Sequence, residues 1–174
     1  MYLYEVQYRY LIAFMFLFSF RQCIAGDSTC VFGLKVGVNR MDIFTGAELG
    51  MQMGNFSPYT SFTFGYNRTL SQKRFFPRLV VGITYDLLKE KHSLIGPDVQ
   101  IAVSSLRVNK NVSTLHYWTE YLAGIRYMSG GRLKFVGSLS AGWVMEYLYS
   151  DLDKKYRGYG TWAYSVNLGI AYAF

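Results

Sequence analysis

The sequence predicts an all-β fold: an antiparallel, up-and-down transmembrane β-barrel of eight strands that follows an N-terminal signal peptide. Two patterns carry this prediction. Apolar residues alternate with small or polar ones, and aromatic residues gather at both ends of the alternating runs. The last fourteen residues, 161–174, alternate without a break from Trp162 to Phe174. Because successive side chains of a strand point to opposite faces, this segment has one apolar face and one small, polar face.

The first 26 residues are predicted to be an export signal. Arg9 supplies a positive flank, residues 10–20 form an eleven-residue apolar run, and the small residues Ala25 and Gly26 suit cleavage after either one. Eleven helical residues rise only about 16 Å, which is too short to span a membrane. Cleavage would leave 16 basic and 10 acidic residues, a net charge of +6, and Cys30 as a single thiol without an internal disulfide.

Seven further segments of the predicted barrel domain, residues 27–174, show the same two-residue period. They cover residues 32–38, 47–54, 61–66, 75–87, 99–104, 115–127 and 133–149. When the apolar residues assign the outer face, the charged residues all fall on the other one: Lys35, Glu48, Arg78, Asp86, Glu120, Arg126, Lys134 and Glu146. Since a Lys or Arg facing lipid at the membrane midplane costs about 2–4 kcal/mol, a barrel must keep such residues inside.

The connections leave the strand count open between eight and six. Residues 129–132 are predicted to form a tight turn. In a six-strand alternative, residues 47–58 and 89–113 would be extended outer loops. Eight is the favoured count because closure by six strands is rare in membranes. Pro77 cannot donate a ladder hydrogen bond, so its strand should begin at Arg78 or contain a bulge.

Aromatic residues are sorted to the ends of the apolar faces, as two membrane interfaces require. A soluble β-sandwich shows the same alternation but has no reason to sort its aromatic residues in this way. One predicted belt flanks a long polar loop at 150–160, and the other lies near the tight turn. The belt residues are Tyr147, Tyr149, Trp162 and Tyr164 on the first side, and Tyr127 and Tyr172 on the second.

An eight-stranded barrel encloses a space only just wide enough for side chains. Buried ions are costly unless they are paired, so the inward charges should form a network across the lumen. Its expected members are Arg78, Glu120, Arg126 and Glu146. A lumen plugged in this way is favoured over a thin polar pore lined by the same residues.

Both ends of the predicted barrel resemble a known family. Residues 32–39 read FGLKVGVN and resemble the opening strand of the outer-membrane protein β-barrel domain family of small bacterial barrels. Residues 169–174 resemble the last strand of that family. The resemblance implies an eight-stranded barrel in the bacterial outer membrane and transfers no functional residues. It also implies a C-terminal signal read by the barrel-assembly machinery, at Asn167, Gly169, Tyr172 and Phe174.

Signals for an enzyme are weak, and we expect no catalytic residue, no cofactor and no metal site. Only His92 and His116 could act as near-neutral bases, and no motif ties a Ser or Asp to either of them. The expected partners are outer-membrane lipid, lipopolysaccharide phosphates near basic loop residues, and an unknown extracellular ligand. We expect a monomer that binds no nucleic acid.

The leading functional interpretation is a small bacterial outer-membrane barrel with a structural or a surface-interaction role, in adhesion or ligand binding through its loops. Three alternatives remain open. One is a narrow porin-like channel for ions or small solutes, and another is a barrel-embedded lipid-modifying enzyme that uses His116 or His92. The third is a soluble secreted β-barrel or β-sandwich carrier, which the terminal Phe174 and the aromatic belts argue against.

Overall fold

The computed structural model describes residues 29–40, 42–67, 74–90, 93–107, 115–150 and 155–174, which form one antiparallel sheet. Its strands are Thr29–Asn39 (β1), Ile43–Gln52 (β2), Phe56–Asn67 (β3), Arg74–Tyr85 (β4), Leu88–Glu90 (β5), Ser93–Arg107 (β6), Leu115–Gly130 (β7), Leu133–Ser150 (β8) and Lys155–Ala173 (β9). Within these ranges, no helix is long and apolar enough to cross a membrane. The predicted signal peptide, residues 1–26, lies outside the described residues and stays a prediction.

The sheet closes on itself as an up-and-down barrel. Strands that follow each other in the sequence are paired except for β4 and β5, β4 pairs with β6, and β1 pairs with β9. The short β5 extends the line of β4, so the closed wall has eight strands. The eight predicted alternating runs each correspond to one of them, which confirms the predicted fold class. The six-strand alternative is wrong, because residues 47–58 and 89–113 contribute β2, β3 and β6 to the wall.

β5 continues β4 after a one-residue bulge. Thr84 pairs with Asp98 of β6, and Leu88 pairs with Ile95, so three residues on one strand face two on the other between these pairs. An extra residue of this kind bends a strand locally without ending its ladder. Residues 88–90 and 93–97 are therefore part of the wall, where they pair with each other and with β7.

The pairing register shows how steeply the strands are tilted. When the ladders are followed around the wall from Val31, each residue leading to its partner on the next strand, they end at Ala163 of β9. In the closing ladder, Val31 pairs with Ala173, ten residues further along β9. For eight strands, this displacement corresponds to a tilt of about 40° to the barrel axis. A barrel of this size has an interior that side chains can fill.

The two faces of the wall are inverted relative to those of a soluble protein. Apolar side chains cover the outside: Leu34 is 66% exposed, Leu139 64% and Trp162 73%. Charged side chains lie inside, where Arg78 is 1% exposed and Glu120 is 2% exposed. A soluble sandwich would bury its apolar faces, so that alternative is wrong. The outer surface suits a hydrocarbon environment.

Pro77 is tolerated inside β4 because of where the ladders begin. It lies opposite Phe64 of β3, and the ladder between β4 and β6 starts one residue later, at Arg78. Pro77, which has no N–H group, thus lies before the first pair of the ladder with β6, where no donor is needed. The predicted start at Arg78 is wrong, because β4 begins at Arg74 and its ladder with β3 continues through Pro77 without the alternative bulge.

The predicted tight turn at 129–132 consists of two residues between Gly130 and Leu133. Gly130 has a φ angle of 115°, in a region that residues with a Cβ avoid. A Cβ at this position would also collide with the carbonyl oxygen of Leu133. The turn therefore requires glycine.

Cys30 is buried near the start of β1 and is disulfide-bonded in the structure. The expected lone thiol refers to the chain after cleavage, in which one of the two cysteines has been removed. That expectation presupposed removal of residues 1–26, which stays a prediction.

Candidate functional site

The lumen of the barrel is built in layers between its two ends. The upper end is the one at which β8 leads into β9, and the lower end is the one that carries Thr29 and Phe174. From the upper to the lower end, the interior contains an apolar layer, two charged clusters and a second apolar layer. Each is formed by inward-facing residues of several strands.

The upper apolar layer closes the lumen with side chains from five strands. It consists of Phe44, Phe76, Trp118, Leu122, Val144 and Ala163, all exposed by 5% or less. The Phe76 ring meets the Phe44 ring at 5.4 Å and the Trp118 ring at 5.1 Å, in both cases edge to face. This is a favoured geometry for aromatic pairs. Because these side chains come from β2, β4, β7, β8 and β9, they meet across the interior.

The upper charge cluster borders this layer and contains one cation and one anion. Arg78 Nη2 donates to Glu120 Oε2 at 2.7 Å. Glu120 also accepts hydrogen bonds from Asn39 Nδ2 at 2.8 Å and from Trp118 Nε1 at 3.3 Å. The guanidinium of Arg78 lies 4.8 Å from the centre of the Phe44 ring. The carboxylate and its cation are thus fully enclosed by the pair itself and by aromatic groups.

The lower charge cluster has two cations on one central carboxylate. Lys35 Nζ donates to Glu48 Oε2 at 3.1 Å, and the guanidinium of Arg126 pairs with the same carboxylate. Arg126 also lies over the Tyr59 ring, with 3.9 Å from its Cζ to the ring centre. Tyr59 donates its hydroxyl to Asp98 Oδ2 at 2.8 Å. The carboxylate of Asp98 is therefore linked, through the Tyr59 side chain, to the Arg126 guanidinium of this cluster.

Below this cluster, the second apolar layer packs at the lower end. It consists of Val31, Leu94, Met128 and Ala171, with Val136 and Ala173 against them.

A cavity lined in part by Lys35, Glu48 and Arg126 has a volume of about 10 Å³, which is room for about one water molecule. The described lumen is therefore a packed interior.

The four predicted lumen charges do not form one network. Arg78 and Glu120 contact each other, but Arg126 pairs with Glu48 in the lower cluster, and Glu146 lies nearer the upper end. The alternation of a strand assigns a side chain to a face and leaves its height along the barrel undetermined. Residues that share the inner face can thus lie in different layers.

Glu146 faces His116 near the upper mouth of the barrel. Their closest side-chain atoms, His116 Nε2 and Glu146 Oε2, are 3.9 Å apart. The His116 ring lies 5.3 Å from the Trp118 ring, and its Nε2 has no hydrogen-bond partner. His92 lies outside the described residues. In the ranges that the structure describes, no group of three or more His, Cys, Asp or Glu is placed to hold a metal ion.

The sequence prediction of the network omitted Lys35, Glu48, Tyr59 and Asp98. Lys35 and Glu48 had been assigned correctly to the inner face. In the β1–β2 ladder Lys35 pairs with Gly46, two residues from Glu48, so the register of this hairpin would have brought them together. Tyr59 was omitted because the predicted third strand began two residues after it.

The residues of the predicted upper belt are paired between β8 and β9 in a different register from the one expected. Trp162 pairs with Trp143, and their rings meet edge to face at 5.9 Å. Tyr147 stands higher on β8, stacked on Tyr117 at 4.9 Å. The reason is that β9 begins six residues before the predicted run, so the hairpin continues above the belt. The side chain of Tyr149 lies outside the description. The remaining predicted belt residues are exposed on the outer surface: Tyr164, Tyr127 and Tyr172.

The four residues of the predicted insertion signal divide between two faces. Asn167 is buried in the lumen, where its Nδ2 donates to the Ser138 hydroxyl at 3.0 Å. The rings of Tyr172 and Phe174 meet at 5.1 Å on the outer surface. Gly169 lies in the ladder that joins β9 to β1. The structure gives Asn167 a role in packing, and recognition of the four residues by the assembly machinery stays a prediction.

The upper rim is higher on one side of the barrel. The ladder between β1 and β9 ends with the pair Asn39 and Ser165, whereas the ladder between β8 and β9 continues to Ser150 and Lys155. Ten residues of β9, 155–164, thus rise beyond β1 and are called the raised edge. At the usual rise of a strand, this edge is about 33 Å long.

Solved structures show which known barrels this architecture resembles. The chain is similar to the N-terminal β-barrel domain of Pseudomonas aeruginosa OprF, with a TM-score of 0.57 and 10% identity over 85% of this chain and 98% of that chain. Neisserial surface protein A (NspA) aligns with a TM-score of 0.47 and 11% identity over 86% and 98%. A major outer membrane protein from Thermus thermophilus aligns with 0.45 and 11% over 84% and 99%. No family model and no curated protein sequence matches the chain.

The chain has the fold of a small eight-stranded outer-membrane β-barrel. The similarity to the OprF domain covers almost all of that domain, and at 10% identity it concerns the fold alone. The predicted resemblance to small outer-membrane barrels is thereby confirmed at the level of architecture. Together with the apolar outer surface, this fold supports the predicted location in the bacterial outer membrane.

Proposed function

We propose that this protein is a surface-interaction barrel of the bacterial outer membrane, with a closed lumen and an exposed upper rim. Membrane barrels of this class have short periplasmic turns and longer extracellular loops. The lower end has the two-residue turn between Gly130 and Leu133, and the upper end has the raised edge. This difference supports an extracellular upper end and a periplasmic lower end.

The closed lumen is the observation that carries this proposal. Side chains of five strands meet in the upper apolar layer, and the charges below it are paired with one another. Conduction requires a polar path that ions can enter and leave. A packed apolar layer opposes such a path, so the surfaces outside the wall are left to supply the function.

The upper mouth supports a role other than catalysis. A general base must lie within hydrogen-bond reach of the group from which it takes a proton. His116 Nε2 has no hydrogen-bond partner, and its nearest anionic neighbour, Glu146, is 3.9 Å away. Nothing in this pair activates a nucleophile.

Planar-bilayer recording tests the closed lumen. The folded chain, identified by the shift of its gel band on heating, should insert without conductance steps. A variant with Phe76→Ala and Trp118→Ala removes two rings of the apolar layer and should conduct if that layer is the barrier. Reproducible channels from the unaltered protein would contradict the proposal and favour the channel alternative.

Replacement of residues 151–159 by a short Gly/Ser turn tests the surface role. The variant should keep its heat-dependent shift, because the wall below the raised edge is unchanged. Bacteria that express it should lose the adhesion to epithelial cells that the unaltered chain confers over cells lacking the protein. Equal adhesion of all three strains would contradict the surface role.

A further inference from the structure

We propose that the raised edge of β9, residues 155–164, binds an extended acidic peptide segment of a partner protein as an additional β-strand. This inference rests on the proposed surface role and names its site and the chemistry of its partner. Addition of a strand to an open sheet edge is a general mode of peptide recognition, in which main-chain hydrogen bonds supply affinity.

The raised edge is paired on one side. β8 covers one side of β9 as far as the pair Ser150 and Lys155. On the other side, among the strands that the structure describes, the ladder with β1 ends at Asn39 and Ser165. Backbone groups on the uncovered side of such a strand form a ready template for another chain.

An existing contact shows which backbone groups face the uncovered side. Arg40 Nη1 donates to the carbonyl oxygen of Trp162 at 3.2 Å, from the side of β1. In an antiparallel strand, the N–H and C=O groups of one residue point to the same side, and those of the next residue point away. The backbone groups of Tyr156, Gly158 and Gly160 therefore face the same way as those of Trp162. Arg40 also shows that a donor can reach this side.

Two of these residues are glycines that aromatic side chains cover on the outer face of the barrel. A Cβ at Gly160 would lie 2.6 Å from Trp143 Nε1, and one at Gly158 would lie 3.4 Å from the Tyr147 ring. Aromatic groups placed over edge glycines hold a strand in register. The strand is thus supported by β8 while its uncovered edge carries no bulky side chain at 158 or 160.

Charge defines the partner. Residues 155–164 contain no Asp or Glu, and three exposed cations, Lys155, Arg157 and Arg40, stand along the edge. Complementary charge speeds encounter and disfavours unsuitable partners. An incoming strand that carries carboxylates meets these cations, whereas a basic strand is repelled.

The proposal is tested with the full chain folded in detergent micelles and a blocked eight-residue peptide of alternating Thr and Glu. Binding is measured by fluorescence anisotropy. Gly158→Pro removes one N–H group from the uncovered side and leaves the ladder to β8 intact, since proline is accepted at an edge whose N–H faces outward. Gly158→Ala keeps the N–H group and serves as the control. We expect binding about tenfold weaker for Gly158→Pro and within about twofold of the unaltered chain for Gly158→Ala.

Amide exchange and a charge-reversed peptide complete the test. The acidic peptide should slow exchange at Gly158 and Gly160, and a peptide of alternating Thr and Lys should bind at least about tenfold more weakly. Equal binding by the two Gly158 variants, equal binding of the two peptides, or no binding of the acidic peptide overturns the proposal. Loss of adhesion on replacement of 151–159 would then still support the surface role, so the two failures are distinguishable.

Discussion

The two charge clusters of the lumen are similarly buried but differ in the number of cations that share one carboxylate. In the upper cluster, one guanidinium faces one carboxylate, Arg78 with Glu120. In the lower cluster, Lys35 and Arg126 share Glu48. A buried ion costs several kcal/mol unless it is paired. The comparison teaches that the contribution of a buried carboxylate to the stability of the fold depends on how many cations it neutralises.

The side chains that surround the two clusters also differ: they are aromatic around the upper cluster and polar around the lower one. The upper pair is backed by aromatic groups of the apolar layer. The lower cluster continues into polar contacts: Thr84 Oγ1 donates to Asp98 Oδ1 at 3.0 Å, and Gln100 Nε2 donates to the Ser140 hydroxyl at 2.9 Å. We therefore expect the upper cluster to act as one replaceable pair and the lower one as a connected network.

The largest effect is expected for Glu48→Ala, which leaves two cations buried without their shared partner. The free energy of unfolding should fall by about 5 kcal/mol, at the upper end of the range for breaking a buried pair. Urea unfolding in lipid vesicles, followed by tryptophan fluorescence, measures this loss. Glu48→Gln keeps the size of the side chain and separates lost charge from lost packing. A loss smaller than that of Glu120→Ala would contradict the comparison.

Glu120→Ala should have the next largest effect, because it leaves one cation unpaired. We expect a loss of about 3 kcal/mol in the same measurement, since Arg78 keeps its contact with the Phe44 ring. Leu139→Ala, on the lipid-facing surface, is a control for the loss of side-chain volume alone. A loss below about 1 kcal/mol would mean that the layer admits water to Arg78, contrary to a closed lumen.

Tyr59→Phe probes the connection between the lower cluster and Asp98. The substitution removes the hydroxyl that donates to Asp98 and keeps the ring beneath Arg126. Stability should fall by about 1–2 kcal/mol, because the buried carboxylate loses one of its donors. Tyr121→Phe, on the outer surface, is the matched control and should change stability by less than about 0.5 kcal/mol. Equal effects of the two changes would show that the network does not extend to Tyr59.

The two-residue period was sufficient to predict the wall of the barrel. It assigned Arg78, Glu120 and Glu48 to the inside and Leu34 to the outside, because a charge facing lipid and an apolar face turned inward are both unfavourable. The assignment needed no knowledge of which strands are neighbours. This is why the fold class could be predicted without any sequence relative.

Register and contacts across the lumen could not be predicted in this way. Trp162 was expected opposite the upper part of β8 and lies opposite Trp143. The reason is that Arg157 to Thr161 continue the β8–β9 ladder, whereas their glycine-rich, polar composition had indicated a loop. Arg126 meets Glu48 from a strand 78 residues away in the sequence. That contact depends on the tilt of the whole barrel, which no single segment encodes.

The smallest effect is expected when both members of the upper pair are replaced by apolar residues of similar size. Arg78→Met with Glu120→Leu extends the adjoining apolar layer, and a matched apolar replacement of a buried pair is often neutral, so stability should stay within about 1 kcal/mol of the unaltered protein. Lys35→Met with Glu48→Leu is the matched change below, and it should cost about 3 kcal/mol because Arg126 stays charged without its carboxylate. Equal losses for the two double variants would show that the number of cations on one carboxylate does not distinguish the clusters, and that position along the barrel decides their stability instead.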